Sequence, residues 1–150
     1  MSCRIRTAAE LELLRGDGKQ PDGATLDPWR NGRYLVWDFT CPDTLAPSHQ
    51  NLSSQAAGSV AEQAENRKNS KYAELVASGD LIFAPIAIET LGVWGPSALE
   101  ICADIGGRIA SRTGDSRAFA FLKQRLGIAV QRGNAAAVIG TVPFRKCVDI

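Results

Sequence analysis

The strongest strand signal in the chain is Tyr34-Leu35-Val36-Trp37-Asp38-Phe39-Thr40, a run dense in β-branched and aromatic residues, which suit a pleated, packed surface. One face of it offers Leu35, Trp37 and Phe39, the other Tyr34 and Val36. Both faces therefore expect cover, as in a central strand. Pro21 to Pro28 precedes it across the turn-rich Trp29-Arg30-Asn31-Gly32, and the pair predicts a β-hairpin. A second buried strand is expected at Leu81 to Ile88, where Pro85 points to a bulge or an edge position.

Helical periodicity accounts for most of the rest. Ala57, Val60, Ala61, Ala64, Tyr72 and Leu75 recur at helical spacing, predicting one long amphipathic helix over Gln55 to Val76 that Gly79-Asp80 terminates. Pro42 to Ser54 reads as a loop. Two further helices follow, Ser97 to Arg112 with a stripe at Leu99, Cys102, Ile105 and Ile109, and Ser116 to about Ala135 with Phe119, Leu122, Leu126 and Ala129. Glu10 to Arg15, after Thr7, predicts a short helix over 7–15 as the only element before the first strand. The expected architecture is a single α/β domain over 1–150. Its core is a small mixed sheet with a central hairpin within 20–90, flanked by helices that include a C-terminal pair within 96–137.

Composition changes little in this picture. At 150 residues with 45% hydrophobic and 22% charged positions, the chain has enough material for one core without metals or disulfides. Its longest apolar stretch is interrupted by Pro85, so no membrane partner is expected, and with no apolar run behind Arg4 and Arg6 an intracellular location, nuclear or cytoplasmic, is the expectation. Cys3, Cys41, Cys102 and Cys147 have no zinc-finger spacing and read as reduced, mostly packing residues. Charge is uneven. Between Ile105 and Val148 eight basic residues face one acid, Asp115. Within that stretch Arg108, Arg112, Lys123, Arg125 and Arg132 are candidate contacts to a nucleic-acid backbone, with solvated helix faces as the simpler explanation.

Candidate chemistry begins with Asp38. A carboxylate in a strand covered on both faces has to be partnered, either structurally or by function. Asp22 adds the functional possibility, because two aspartates converging across a hairpin offer hard oxygen ligands for Mg²⁺. Register decides the matter. A two-residue Asn31-Gly32 turn pairs Arg30 with Arg33, sets Asp38 opposite Thr25 and sends Asp22 to the other face. A longer loop, or a bulge near Pro28, brings the two aspartates to one face. The third component is Lys68, four residues after Ala64 and four before Tyr72, on the stripe that faces the sheet. Lys71 is three residues further on, and either amine is a candidate for an attacking water or a scissile phosphate. The alternative is a snorkelling lysine with Glu65 as a surface partner.

Two aspartates on a hairpin followed by a helical lysine resemble a PD-(D/E)XK metal-dependent nuclease, with Pro21-Asp22 standing as its PD. Asp38-Phe39-Thr40 has threonine where that superfamily most often has lysine, which passes the lysine role to Lys68 or Lys71. On a larger scale the resemblance runs from about Asp17 to Pro143. It is carried by Gln20-Pro21-Asp22-Gly23, Leu35-Val36-Trp37-Asp38-Phe39-Thr40-Cys41-Pro42-Asp43-Thr44, Lys68-x-x-Lys71-Tyr72, Ile86-Ala87-Ile88-Glu89-Thr90-x-Gly92-Val93-x-Gly95 and Gln131-Arg132-Gly133-Asn134-Ala135. Together these are similar to the C-terminal region of reverse-transcriptase-like proteins of non-LTR retrotransposons, which closes some of those polyproteins with a restriction-like endonuclease. The resemblance implies an endonuclease that nicks DNA, including at an RNA–DNA priming site. It also implies Asp22 and Asp38 as Mg²⁺ ligands and Lys68 or Lys71 as the catalytic lysine. Glu10 or Glu12 would fill a first-helix acidic position, and Glu89 is a weaker candidate for the site. No polymerase domain fits this length. The alternative is a non-catalytic nucleic-acid-binding or structural tail of such a protein, a decayed copy.

Overall fold

The structure, a computed structural model, describes residues 5–7 and 20–141. The chain folds into a four-stranded mixed sheet with helices on both faces. In chain order the elements are β1 (Ile5–Thr7), β2 (Gly23–Thr25), β3 (Tyr34–Thr40), α1 (Gln50–Ser53), α2 (Ser59–Lys71), α3 (Ala73–Val76), β4 (Leu81–Ala87), α4 (Pro96–Thr113) and α5 (Ala118–Thr141). The strands lie in the order β1-β2-β3-β4, with β1, β2 and β3 antiparallel and β4 parallel to β3.

This arrangement makes β3 central and covered on both sides, as its pattern requires. Leu35 joins Ala84, Ile88, Trp94, Ala98, Ile101, Cys102 and Val130 in the main core beneath α4 and α5. On the other face Ala87 meets Ala61 and Ala64 of α2. Three alanines let that helix approach the sheet closely. Pro85 lies on β4, which is an edge strand, where a missing N–H is tolerated.

Several boundaries differ from expectation for local reasons. Thr7 belongs to β1, a strand too short to show periodicity on its own; the rest of the expected 7–15 helix, with Glu10 and Glu12, lies outside the described residues, as do Cys3 and Cys147. The expected Gln55 to Val76 helix starts later and breaks at Tyr72, whose φ of −106° and ψ of 12° separate α2 from α3. The expected loop after Pro42 contains the single turn α1. The last helix runs to Thr141, past Ala135.

The hairpin resolves its register in an unexpected way. Its tip is the two-residue turn, with Arg30 bridged to Arg33 and positive φ at Asn31 (51°) and Gly32 (76°), the values a type I′ turn demands. Counted back from that bridge, Asp38 would face Thr25. The observed pairs are instead Gly23 with Trp37 and Ala24 with Val36, a displacement of three residues that is taken up between Thr25 and Trp29. An odd displacement exchanges the faces, so Asp22 is directed to the Asp38 side despite the short turn. The Thr25 hydroxyl closes the gap where β2 departs, accepting the Leu35 N–H at 3.0 Å. Gly23 is fixed by the same pairing, since a Cβ there would run into the indole of Trp37. A Gly23→Ala variant is expected to lose about 1–3 kcal/mol of stability through overpacking, read as a lower urea midpoint with an unchanged slope.

Candidate functional site: a carboxylate and lysine cluster on the α2 face

Asp38 is buried, and its carboxylate lies between the sheet and the last turn of α2. Lys68 Nζ donates to Asp38 Oδ2 at 2.7 Å, and Lys71 Nζ stands 3.8 Å from the same oxygen. The helix explains why both amines are there. Val60, Ala61 and Ala64 form its buried stripe, and one turn further that stripe delivers Lys68. The last turn of a helix also favours cations, through the exposed carbonyl ends of its dipole. Lys68 retains 24% side-chain exposure against 5% for Asp38, so the pair sits at a rim, with the amine reaching solvent and the carboxylate beneath it.

Asp22 is exposed and immediately precedes β2, one residue outside the strand expected to carry it. Its N–H donates to the Trp37 carbonyl at 2.9 Å, and its Oδ2 accepts the Phe39 N–H at 2.6 Å. The side chain thus grips β3 at the residues either side of Asp38. Lys71 Nζ also donates to the Tyr72 hydroxyl at 2.7 Å, and that hydroxyl donates to the Gln20 carbonyl at 2.7 Å. Asp22, Asp38, Lys68 and Lys71 are therefore drawn together by one continuous set of contacts.

The other carboxylates near these elements serve the fold. Glu65 is buried and is not the surface partner of Lys68; it accepts the Ser97 and Ala98 N–H groups, each at 2.9 Å. Those are among the first N–H groups of α4, which helix geometry leaves unsatisfied. Gly95 packs directly against this carboxylate, leaving no room for a side chain. Glu89, also buried, accepts the Ala61 N–H of α2 at 3.1 Å and the Thr44 hydroxyl at 3.0 Å, and so caps a helix instead of joining the aspartates. The Gly58 start of α2 lacks a side-chain cap of its own. The Thr90 carbonyl, beside Glu89, takes Gln131 Nε2 at 3.1 Å and Asn134 Nδ2 at 2.7 Å, which brings two of the quoted sequence motifs into contact.

The basic C-terminal residues do not line this cluster. Arg108, Arg112, Lys123, Arg125 and Arg132 lie on α4 and α5, the layer on the opposite face of the sheet. Arg108 is engaged at the hairpin tip, its guanidinium 3.8 Å over the Trp29 ring and its Nη2 donating to the Trp29 carbonyl at 2.9 Å. Lys123 Nζ stands 5.9 Å over Trp94. Between that layer and the sheet is a cleft of about 1060 Å³ among the described residues, walled largely by Leu35, Trp37, Phe39, Ile86, Ile105 and Leu126. Its apolar walls and its position across the sheet separate it from the aspartates.

Asp104 ties the hairpin tip to α4. Burial raises its pKa, but hydrogen bonds and charge from Arg108 and then Arg30 outweigh that and leave the carboxyl below its ordinary value. A depressed folded pKa contributes stability above the unfolded pKa and loses it as pH falls through the folded one. An Asp104→Asn variant is accordingly expected to be less stable than wild type by up to about 1 kcal/mol near neutral pH, with the gap closing below about pH 4 in urea melts across pH. The thiols carry no such tension. Burial raises the pKa of Cys102, and burial with the Asp43 charge raises that of the exposed Cys41, so both stay protonated at neutral pH. Cys102 packs in the core as expected; Cys41 does not.

Among the described residues no three His, Cys, Asp or Glu side chains group as a metal site, and no helix is long and apolar enough to cross a membrane. No family model matches the chain, and no curated protein matches it.

Proposed function

We propose that this chain is a Mg²⁺-dependent DNA endonuclease with a restriction-endonuclease-like core, a domain of a retroelement reverse-transcriptase protein. One observation carries the reading: a buried aspartate in a central strand is met at 2.7 Å by a helix lysine, while the Pro21-Asp22 carboxylate is bound to the next residue of that strand. The mixed sheet with its central hairpin and flanking helices is consistent with this core. So is the arrival of the lysine from α2, given that Thr40 stands where a strand lysine is usual.

The donor chemistry fits a hard cation. Asp22 and Asp38 bring carboxylate oxygens to adjacent positions at a rim open to solvent, and Lys68 alone among the described residues hydrogen-bonds Asp38. Asp22 and Asp38 would hold Mg²⁺, which when bound supplies charge neutralisation at the phosphate and a more acidic water. Hydrolysis forms a bond from a water oxygen to phosphorus and breaks one phosphorus–sugar oxygen bond, with a proton returned to the leaving oxygen. The Lys68 ammonium is placed to stabilise the charge that grows on the phosphate oxygens. Lys71, farther from Asp38 and committed to Tyr72, is the supporting cation. DNA is the proposed partner, RNA–DNA at a priming site included. Arg125 and Arg132, exposed on α5, would contact the backbone away from the reacting phosphate. Nicking of supercoiled plasmid in Mg²⁺, abolished by Asp22→Ala and by Asp38→Ala, is the expected result. Salt-sensitive DNA binding that survives both changes without any cleavage supports the non-catalytic tail instead.

A further inference from the structure

We infer that Tyr72 is a positioning residue that sets the metal affinity of the aspartate pair by holding the main chain that carries Asp22; this rests on the endonuclease reading of that site. The argument starts from Pro21. A proline nitrogen has no hydrogen to donate, so the Gln20–Pro21 peptide has one polar handle, the Gln20 carbonyl. Tyr72 takes that handle, its hydroxyl donating to Gln20 O at 2.7 Å. The next anchor is the Asp22 N–H on the Trp37 carbonyl at 2.9 Å, so the approach to Asp22 is fixed from both sides.

Tyr72 is itself tightly held. It is fully buried, with its ring 4.8 Å from that of Phe83 on β4. Its backbone leaves helical geometry at the end of α2, which turns the ring toward the sheet while its N–H still bonds the Lys68 carbonyl at 3.0 Å. A phenol can donate and accept at once. The accepting side receives Lys71 Nζ at 2.7 Å, and that amine is 3.8 Å from Asp38 Oδ2. One hydroxyl therefore joins the strand entering Asp22 to the lysine beside Asp38. Partners of this outer kind typically change metal affinity about 10–100-fold when removed.

The test compares wild type, Tyr72→Phe and Phe83→Leu by titration with Mn²⁺, following the free ion by electron paramagnetic resonance, with plasmid nicking measured as a function of Mg²⁺. Tyr72→Phe keeps the ring and is expected to weaken Mn²⁺ binding about tenfold or more, and to raise the Mg²⁺ needed for half-maximal nicking in proportion. Phe83→Leu loosens the same packing without touching the hydroxyl and is expected to leave Mn²⁺ affinity within about twofold of wild type. Equal affinity in wild type and Tyr72→Phe overturns the positioning role, whether or not DNA is cut. An equal loss in both variants overturns it as well, assigning the effect to packing. Mn²⁺ binding weakened by Tyr72→Phe in a protein that never nicks DNA keeps the positioning role and removes the endonuclease reading. A wild type that binds no Mn²⁺ removes both.

Discussion

Asp38→Asn is expected to fold and to nick supercoiled plasmid at least about a thousandfold more slowly than wild type, the scale on which removal of a charged catalytic or metal-binding group is felt. The substitution keeps the size of the side chain and a carbonyl oxygen for Lys68 Nζ, now 2.7 Å from Oδ2, but it removes the charge that a cation requires. Loss of stability is expected to be modest, because the lysine left without its counter-charge has 24% of its side chain exposed and can turn to water. Lys68→Ala is asymmetric with this. It leaves the carboxylate buried with Lys71 at 3.8 Å as the remaining cation, so it is expected to cost about 1–3 kcal/mol of stability as well as about 10²–10³-fold in nicking. Lys71→Ala is expected to lower nicking less than Lys68→Ala does. Equal nicking rates for wild type and Asp38→Asn, with both proteins folded, would falsify the assignment of this site.

The largest expected effect on stability lies at Glu65. Glu65→Ala strips two charge-assisted hydrogen bonds from the start of α4 and leaves the buried Ala98 N–H and the part-buried Ser97 N–H without an acceptor. Loss of a cap together with stranded buried donors is expected to cost about 2–4 kcal/mol, which in a domain of this size lowers the melting temperature by roughly 5–15 °C. Glu65→Gln retains one acceptor oxygen and is expected to recover part of the loss. A calorimetric scan in which Glu65→Ala melts within about 1 °C of wild type would show that the caps are supplied from elsewhere. Mg²⁺-dependent nicking by the folded fraction of Glu65→Ala is expected to survive, which separates a carboxylate that builds the fold from the two that are proposed to do chemistry.

What the sequence made legible follows from where information is local. The central strand showed itself in its two apolar faces, α2 in its alanine stripe, and the inward turn of Lys68 in its four-residue spacing from Ala64. These are properties of single elements. The face shared by Asp22 and Asp38 was not local, because the tip of the hairpin obeys the two-residue turn that Asn31-Gly32 specifies while the three-residue displacement occurs further down, between Thr25 and Trp29. Turn chemistry alone gives the opposite face. Glu65 and Glu89 escaped for a related reason: each caps a helix distant in sequence, and a cap supplied across the fold leaves no Ser, Thr, Asp or Asn signal at the helix start. The one visible hint was negative, since both α2 and α4 begin at glycine without a side-chain cap of their own. Tyr72 read as part of a continuous apolar stripe, and only its hydroxyl contacts reveal where the helix has to break. The basic residues of the last two helices were easy to count, yet their placement across the sheet from Asp38 depends on which layer packs where.

The most direct measurement of the central claim is the conversion of supercoiled plasmid to open circles by the wild-type chain, run side by side in Mg²⁺ and in excess EDTA. The account predicts open circles that accumulate with Mg²⁺ and not with EDTA. Intact supercoiled DNA in both, from folded protein that binds the plasmid, or equal nicking in both, contradicts it.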